Sequence, residues 1–77
     1  MRTINFIEKN VNINGDQVSV DGAVLVRLID DSVGEKTKAV VKVLFFCRTI
    51  ILFEGQNYKP INQYTQQEID NRIIELI

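Results

Sequence analysis

Apolar and polar residues alternate with a period of two along most of this chain, the pattern of strands that bury one face. In the first stretch Ile4, Phe6 and Glu8 share one parity and Thr3, Asn5 and Ile7 the other, which predicts a strand of mixed faces over about 3–8. Val11-Asn12-Ile13 and Gln17-Val18-Ser19-Val20 then flank Asn14-Gly15-Asp16. Asn-Gly supplies the positive backbone angles that tight hairpins require, so strands are expected over about 10–13 and 16–20, with Val11, Ile13, Val18 and Val20 on one face. A second turn is expected at Asp21-Gly22. A three-residue loop Val20-Asp21-Gly22 would send out a strand over 23–29, set Val24, Val26 and Leu28 beside Val18, and turn Arg27 outward. Asp30-Asp31-Ser32-Val33-Gly34 reads as a longer acidic loop.

Lys36 to Glu54 is the most apolar part of the chain, and its Val, Ile and Phe content favours strand over helix. A division near Cys47-Arg48 gives two strands, about 37–46 and 49–54. A helix is the competing reading, because Ser32-Val33-Gly34-Glu35 fits a capping box, but the β-branched residues and the lack of a polar face at helical spacing weigh against it. Gly55-Gln56-Asn57 marks a turn, and Pro60 breaks any ladder. Thr65-Gln66-Gln67-Glu68 is a second capping box, with Tyr64 and Ile69 placed as a hydrophobic staple. Ile69, Ile73, Leu76 and Ile77 recur at helical spacing, with Ile74 beside them, which predicts a helix over about 66–77. The fold class that follows is α+β, within one domain spanning 1–77. It is a small antiparallel sheet or partly closed barrel of four to six strands, closed by a C-terminal helix.

Composition narrows the function. A chain of 77 residues has room for one core and buries only about 60% of the surface its unfolded form exposes. Small domains compensate with disulfides, metals or association. One cysteine and no histidine leave association as the open route. The missing histidine also removes the commonest general base and zinc ligand, so the chain is read as non-enzymatic, with no cofactor and no metal. Cys47 follows Phe45-Phe46 and reads as a small buried hydrophobe rather than a reactive thiol. Asp30-Asp31 reads as solvated loop charge, and the segment from Asn12 to Asp21 lacks the spacing of a calcium loop. The four glycines lie singly in turns, so no phosphate-cradling loop is present. A net charge of −1 gives no global pull on nucleic acid or anionic membranes. No apolar run reaches the roughly 20 residues of a membrane span, and no secretory signal opens the chain. A cytoplasmic protein is the expectation, or a virion component if the source is viral.

Two features point to binding. If Lys36 to Arg48 is extended, Lys36, Lys38, Lys42 and Arg48 share a face with Val40, Leu44 and Phe46, while Thr37, Ala39, Val41, Val43, Phe45 and Cys47 face the core. Such a basic strip carrying an aromatic suits a single-stranded nucleic acid, as in OB-like or SH3-like modules. An edge strand whose lysines block stray sheet pairing accounts for the strip better, given the chain's acidity and few aromatics. The second feature is surplus apolar surface: the strand 24–28 and the region 39–53 are apolar on both faces, whereas one helix covers one side of a sheet. Ile69, Ile73, Ile74, Leu76 and Ile77 form a candidate association helix. The leading expectation is therefore a non-enzymatic structural or assembly protein that forms a homo-oligomer or joins a larger particle. A nucleic-acid-binding module stands second.

Overall fold

The first turn of the sheet is Asn14-Gly15. A computed structural model describes all residues, Met1–Ile77, and in it Asn14 and Gly15 both take positive φ (52° and 89°) between paired Ile13 and Asp16. The Asn12 side chain accepts a hydrogen bond from the Gly15 amide (2.9 Å) and fixes the turn. Two long strands leave it, β1 (Arg2–Ile13) and β2 (Asp16–Asp31), followed by β3 (Lys36–Val43) and β4 (Phe46–Glu54). They form one antiparallel four-stranded open sheet in the order β1-β2-β3-β4. Two short 3-10 turns, Gly55–Asn57 and Ile61–Gln63, lead into the helix α1 (Gln66–Leu76).

The sheet has four strands, within the expected four to six, because the segments over 3–8 and 10–13 merge into β1 and those over 16–20 and 23–29 into β2; Asp21-Gly22 is not a turn. Asn5 pairs with Gly22 and Lys9 with Val20, so Phe6, Ile7 and Glu8 stand opposite Asp21 alone in a β-bulge. The ladder resumes on either side. Gly22 has no positive φ; a Cβ there would meet the Ile4 carbonyl oxygen at 3.3 Å, so the glycine serves the close approach of β1. The bulge reverses the facing of β2. Val20 faces the core before it and Ala23 and Leu25 after it, while Val24 and Val26 are only half-buried, contrary to the facing expected from a loop. Ile7, pushed out by the bulge, is exposed.

Asp30 and Asp31 end β2 rather than lying in a loop, and only Ser32–Glu35 connect it to β3. Asp31 accepts from the Gly34 amide (2.9 Å), and Asp30 accepts from the Tyr58 hydroxyl. That bond holds the Tyr58 proton and pushes its pKa up to about 12. The Ser32–Glu35 capping pattern starts no helix; Glu35 takes φ 52° and closes the hairpin loop.

The core lies between one face of the sheet and α1. Ile4, Val11, Ile13, Val20, Ala23 and Leu25 come from the first hairpin, Ala39, Val41, Val43 and Leu52 from the second, and Ile69 and Ile73 from the helix. A bulge between Thr37 and Lys38 in the β3–β4 pairing turns Leu52 and Phe53 toward the helix side together. Thr37 is the one buried polar side chain in this layer, and its Oγ1 has no hydrogen-bond partner. An unpaired buried hydroxyl carries its full desolvation cost, so Thr37→Val is expected to stabilise the fold by about 1 kcal/mol, read as a raised urea midpoint at unchanged slope.

The helix starts as its capping box dictates. The Thr65 hydroxyl accepts from the Glu68 amide (3.1 Å), and the Glu68 carboxylate accepts from the Thr65 amide (3.0 Å). Tyr64 and Ile69, the staple residues, both belong to the core. The Thr65 amide, then its hydroxyl, hold the Glu68 carboxyl below its usual range. A depressed carboxylate stabilises the folded chain above its unfolded pKa, and that contribution is lost as pH falls through the folded value. Acid titration followed by helix ellipticity should show this loss below the ordinary carboxylate range, and Glu68→Gln should remove it.

Three side chains tie α1 across the sheet. Arg2 of β1 pairs with Asp70 (2.5 Å), Lys9 of β1 donates to the Ile74 carbonyl (2.6 Å), and Arg72 donates through Nε to the Leu52 carbonyl of β4 (2.8 Å). The helix therefore spans the two outer strands. Arg48 of β4 also donates to the Asn12 carbonyl of β1 (2.8 Å), so the sheet curls until its outer strands come within one side chain's reach, although no ladder joins them.

Candidate interaction surface

β3 and β4 meet at a two-residue turn, Leu44-Phe45, between paired Val43 and Phe46. The expected division at Cys47-Arg48 is thus three residues too late, and the facing of Phe46, Cys47 and Arg48 changes with it. Directly opposed residues of an antiparallel pair share a face. Lys42 pairs with Cys47 and Lys38 with Ile51, whereas Val43 pairs with Phe46 and Val41 with Arg48. The expected strip is split. Lys36, Lys38 and Lys42 lie on the helix-free face, while Phe46 and Arg48 fall on the helix side, where Arg48 reaches Asn12. Phe45 and Cys47, expected in the core, are both exposed: Phe45 sits in the turn at 90% accessibility, and Cys47 lies across from Lys42.

The helix-free face has its own composition. The pairs Val24–Lys42, Arg27–Val40 and Ile29–Lys38 place aliphatic side chains beside cations at its centre, and Ile51 adjoins them from β4. Lys36 is flanked on both sides, by Asp31 of β2 and Glu54 of β4. Arg27, which sequence reasoning had not joined to the basic strip, belongs to it because the bulge between Leu25 and Arg27 resets its facing. No aromatic ring stands on this face.

The turn itself is the most exposed apolar feature. Leu44, Phe45 and Phe46 are 52%, 90% and 42% accessible. Leu44 also takes φ 55°, a left-handed conformation that costs a residue with a Cβ about 1–2 kcal/mol. Leu44→Gly is therefore expected to raise stability by about 1 kcal/mol, less than the full strain because glycine also loosens the unfolded chain. Thermal unfolding at low protein concentration measures it.

The candidate association helix is mostly used up. Ile69 and Ile73 are buried in the core, Ile74 and Ile77 pack half-buried against it, and only Leu76 remains exposed.

A groove of about 800 Å³ runs between the last residues of β4 and α1. Its floor is the stacked pair Phe53 and Tyr64, ring centroids 4.3 Å apart, with Lys59 over the Tyr64 ring and Arg72 over the Phe53 ring. Glu54, Glu68 and Glu75 stand around it. The Tyr64 hydroxyl donates to the Asn57 carbonyl (2.6 Å) and accepts from the Lys59 amide (2.9 Å), which shapes the wall formed by the two 3-10 turns. Nothing in the sequence pattern pointed to this groove, since it is assembled from three segments.

No three His, Cys, Asp or Glu side chains converge into a metal-holding group, and no helix is long and apolar enough to cross a membrane. No family model, curated protein or solved structure matches the chain.

Proposed function

We propose that this chain is a non-enzymatic assembly module that associates with further copies of itself, as one of several copies in a larger particle. The observation that carries the reading is the β3–β4 tip, where three consecutive apolar residues project into solvent and one of them is held in a strained backbone conformation. Burying one Phe or Leu side chain contributes about 1.5–3 kcal/mol, so leaving these residues in water forgoes stabilisation that association would recover. The aliphatic residues of the helix-free face add to the surplus.

Cys47, exposed beside the tip, reports on the contact. Its alkylation should slow as protein concentration rises, because association covers the tip. An alkylation rate independent of concentration would contradict the reading.

A second reading, binding of nucleic acid, is favoured by Arg27, Lys36, Lys38 and Lys42 on one face. It ranks lower because the rings needed for base stacking are absent there. Oligonucleotide binding that weakens with salt and is lost in a Lys38→Glu, Lys42→Glu double variant would promote it over self-association.

A further inference from the structure

We infer that association is head-to-tail: the Leu44-Phe45-Phe46 tip of one copy seats in the β4–α1 groove of the next. This rests on the self-association reading and assigns its two surfaces.

Charge segregation is the first ground. From Lys36 to Phe53 the chain has four cations, Lys36, Lys38, Lys42 and Arg48, and no carboxylate. With Glu54 at its far end the hairpin is at +3 in a chain of net −1, which leaves −4 on the rest of the molecule, and Lys42 and Arg48 are the cations that flank the tip. A tip-to-tip contact would bring like charges together, and so would packing two helix-free faces. The groove lining is net negative by one, with Glu54, Glu68 and Glu75 against Lys59 and Arg72, and Arg72 is already paired with Glu75 (3.0 Å).

Shape is the second ground. The groove's 800 Å³ accommodates an aromatic and an aliphatic side chain, and the Lys59 and Arg72 cations that cover the Tyr64 and Phe53 rings offer an incoming ring a cation–π contact. The occupant is a side-chain knob rather than an added strand, because Arg72 already occupies the Leu52 carbonyl on the free edge of β4.

Position is the third. The tip precedes β4 and the groove is lined by its last residues, Ile51 to Glu54, six to nine residues beyond Phe45, a separation of about 20–30 Å at the strand rise. One copy cannot fill its own groove. The contact is heterologous, uses different surfaces on the two partners, and propagates into a ring or filament.

Two variants on exposed positions separate the surfaces: Phe45→Glu disables the tip, and the double variant Glu54→Lys, Asn71→Lys disables the groove. Circular dichroism establishes that each folds as the native chain does. By light scattering, the native chain should form species that grow with concentration, and each variant alone should be a monomer. An equimolar mixture should stop at a dimer, because it contains one working tip and one working groove. If the native chain associates but the mixture stays monomeric, or either variant associates as fully as the native chain, the assignment of surfaces is wrong while self-association stands. A native chain that stays monomeric yet sediments with anionic phospholipid vesicles through Phe45 would overturn both.

Discussion

Ile73→Ala is expected to cost about 2–5 kcal/mol, the range for removing a large aliphatic side chain from a packed site. Ile73 is completely buried and lies where α1 meets the sheet. A helix of 11 residues has little stability of its own and persists through the face it buries. That face rests on Ile69 and Ile73, the only fully buried residues of the helix. A domain of this size has a total stability of about 4–12 kcal/mol, so the variant should lose much of it and populate the unfolded state at physiological temperature. Urea denaturation followed by far-ultraviolet ellipticity measures the loss. Ile73→Val, which removes one methyl group, should cost about 0.5–1.5 kcal/mol and serves as the graded control. A loss below about 1 kcal/mol in the alanine variant would mean that the helix is not held by this contact.

Tyr64→Ala should be of similar size, about 3–5 kcal/mol, for a different reason. Its ring stacks on Phe53 and belongs to the core, while its hydroxyl links Asn57 and Lys59 across the two 3-10 turns. Ring and hydroxyl can be separated. Tyr64→Phe keeps the stack and loses two hydrogen bonds to backbone groups that water can partly reach, at about 1 kcal/mol. Tyr64→Ala removes the groove floor as well, so it should also abolish association, whereas Tyr64→Phe should retain it. A phenylalanine variant as unstable as the alanine variant would place the main role in the hydroxyl instead of the ring.

These residues also show which parts of the fold were legible in the sequence. Features written in short local codes were readable. Asn14-Gly15 demands a hairpin because few other residue pairs adopt two positive φ angles, and Thr65 with Glu68 satisfies the amides at the helix start whatever the remainder does. The parity of Thr37, Ala39, Val41 and Val43 placed the core of β3 correctly because the extra residues of its two bulged pairings, Val26 and Leu52, lie in the neighbouring strands. The errors fell where tertiary packing overrides local preference. Leu44-Phe45 forms a turn with none of the usual turn residues, and Leu44 carries strain that no pattern announces. Asp21-Gly22 looks like a turn but marks a bulge, because Gly22 is needed for its missing Cβ, not its φ.

One misplaced turn was enough to disperse the predicted site. Because side chains alternate, moving the β3–β4 turn from Cys47-Arg48 to Leu44-Phe45 sent Phe46 and Arg48 to the helix side and Cys47 to the open face. Lys36, Lys38 and Lys42 kept their common face because they all precede the turn. The groove was illegible for a separate reason: β4, the 3-10 turns and α1 each contribute a few residues, and only the folded chain brings them together.

Apolar side chains left uncovered by the single helix, with Phe45 foremost, are the surface that a second copy would cover. Size-exclusion chromatography with light scattering on the native chain, over a series of protein concentrations, tests that claim most directly. A mass of at least a dimer that increases with concentration is the predicted result, and a constant mass of 8.8 kDa at every soluble concentration would contradict it.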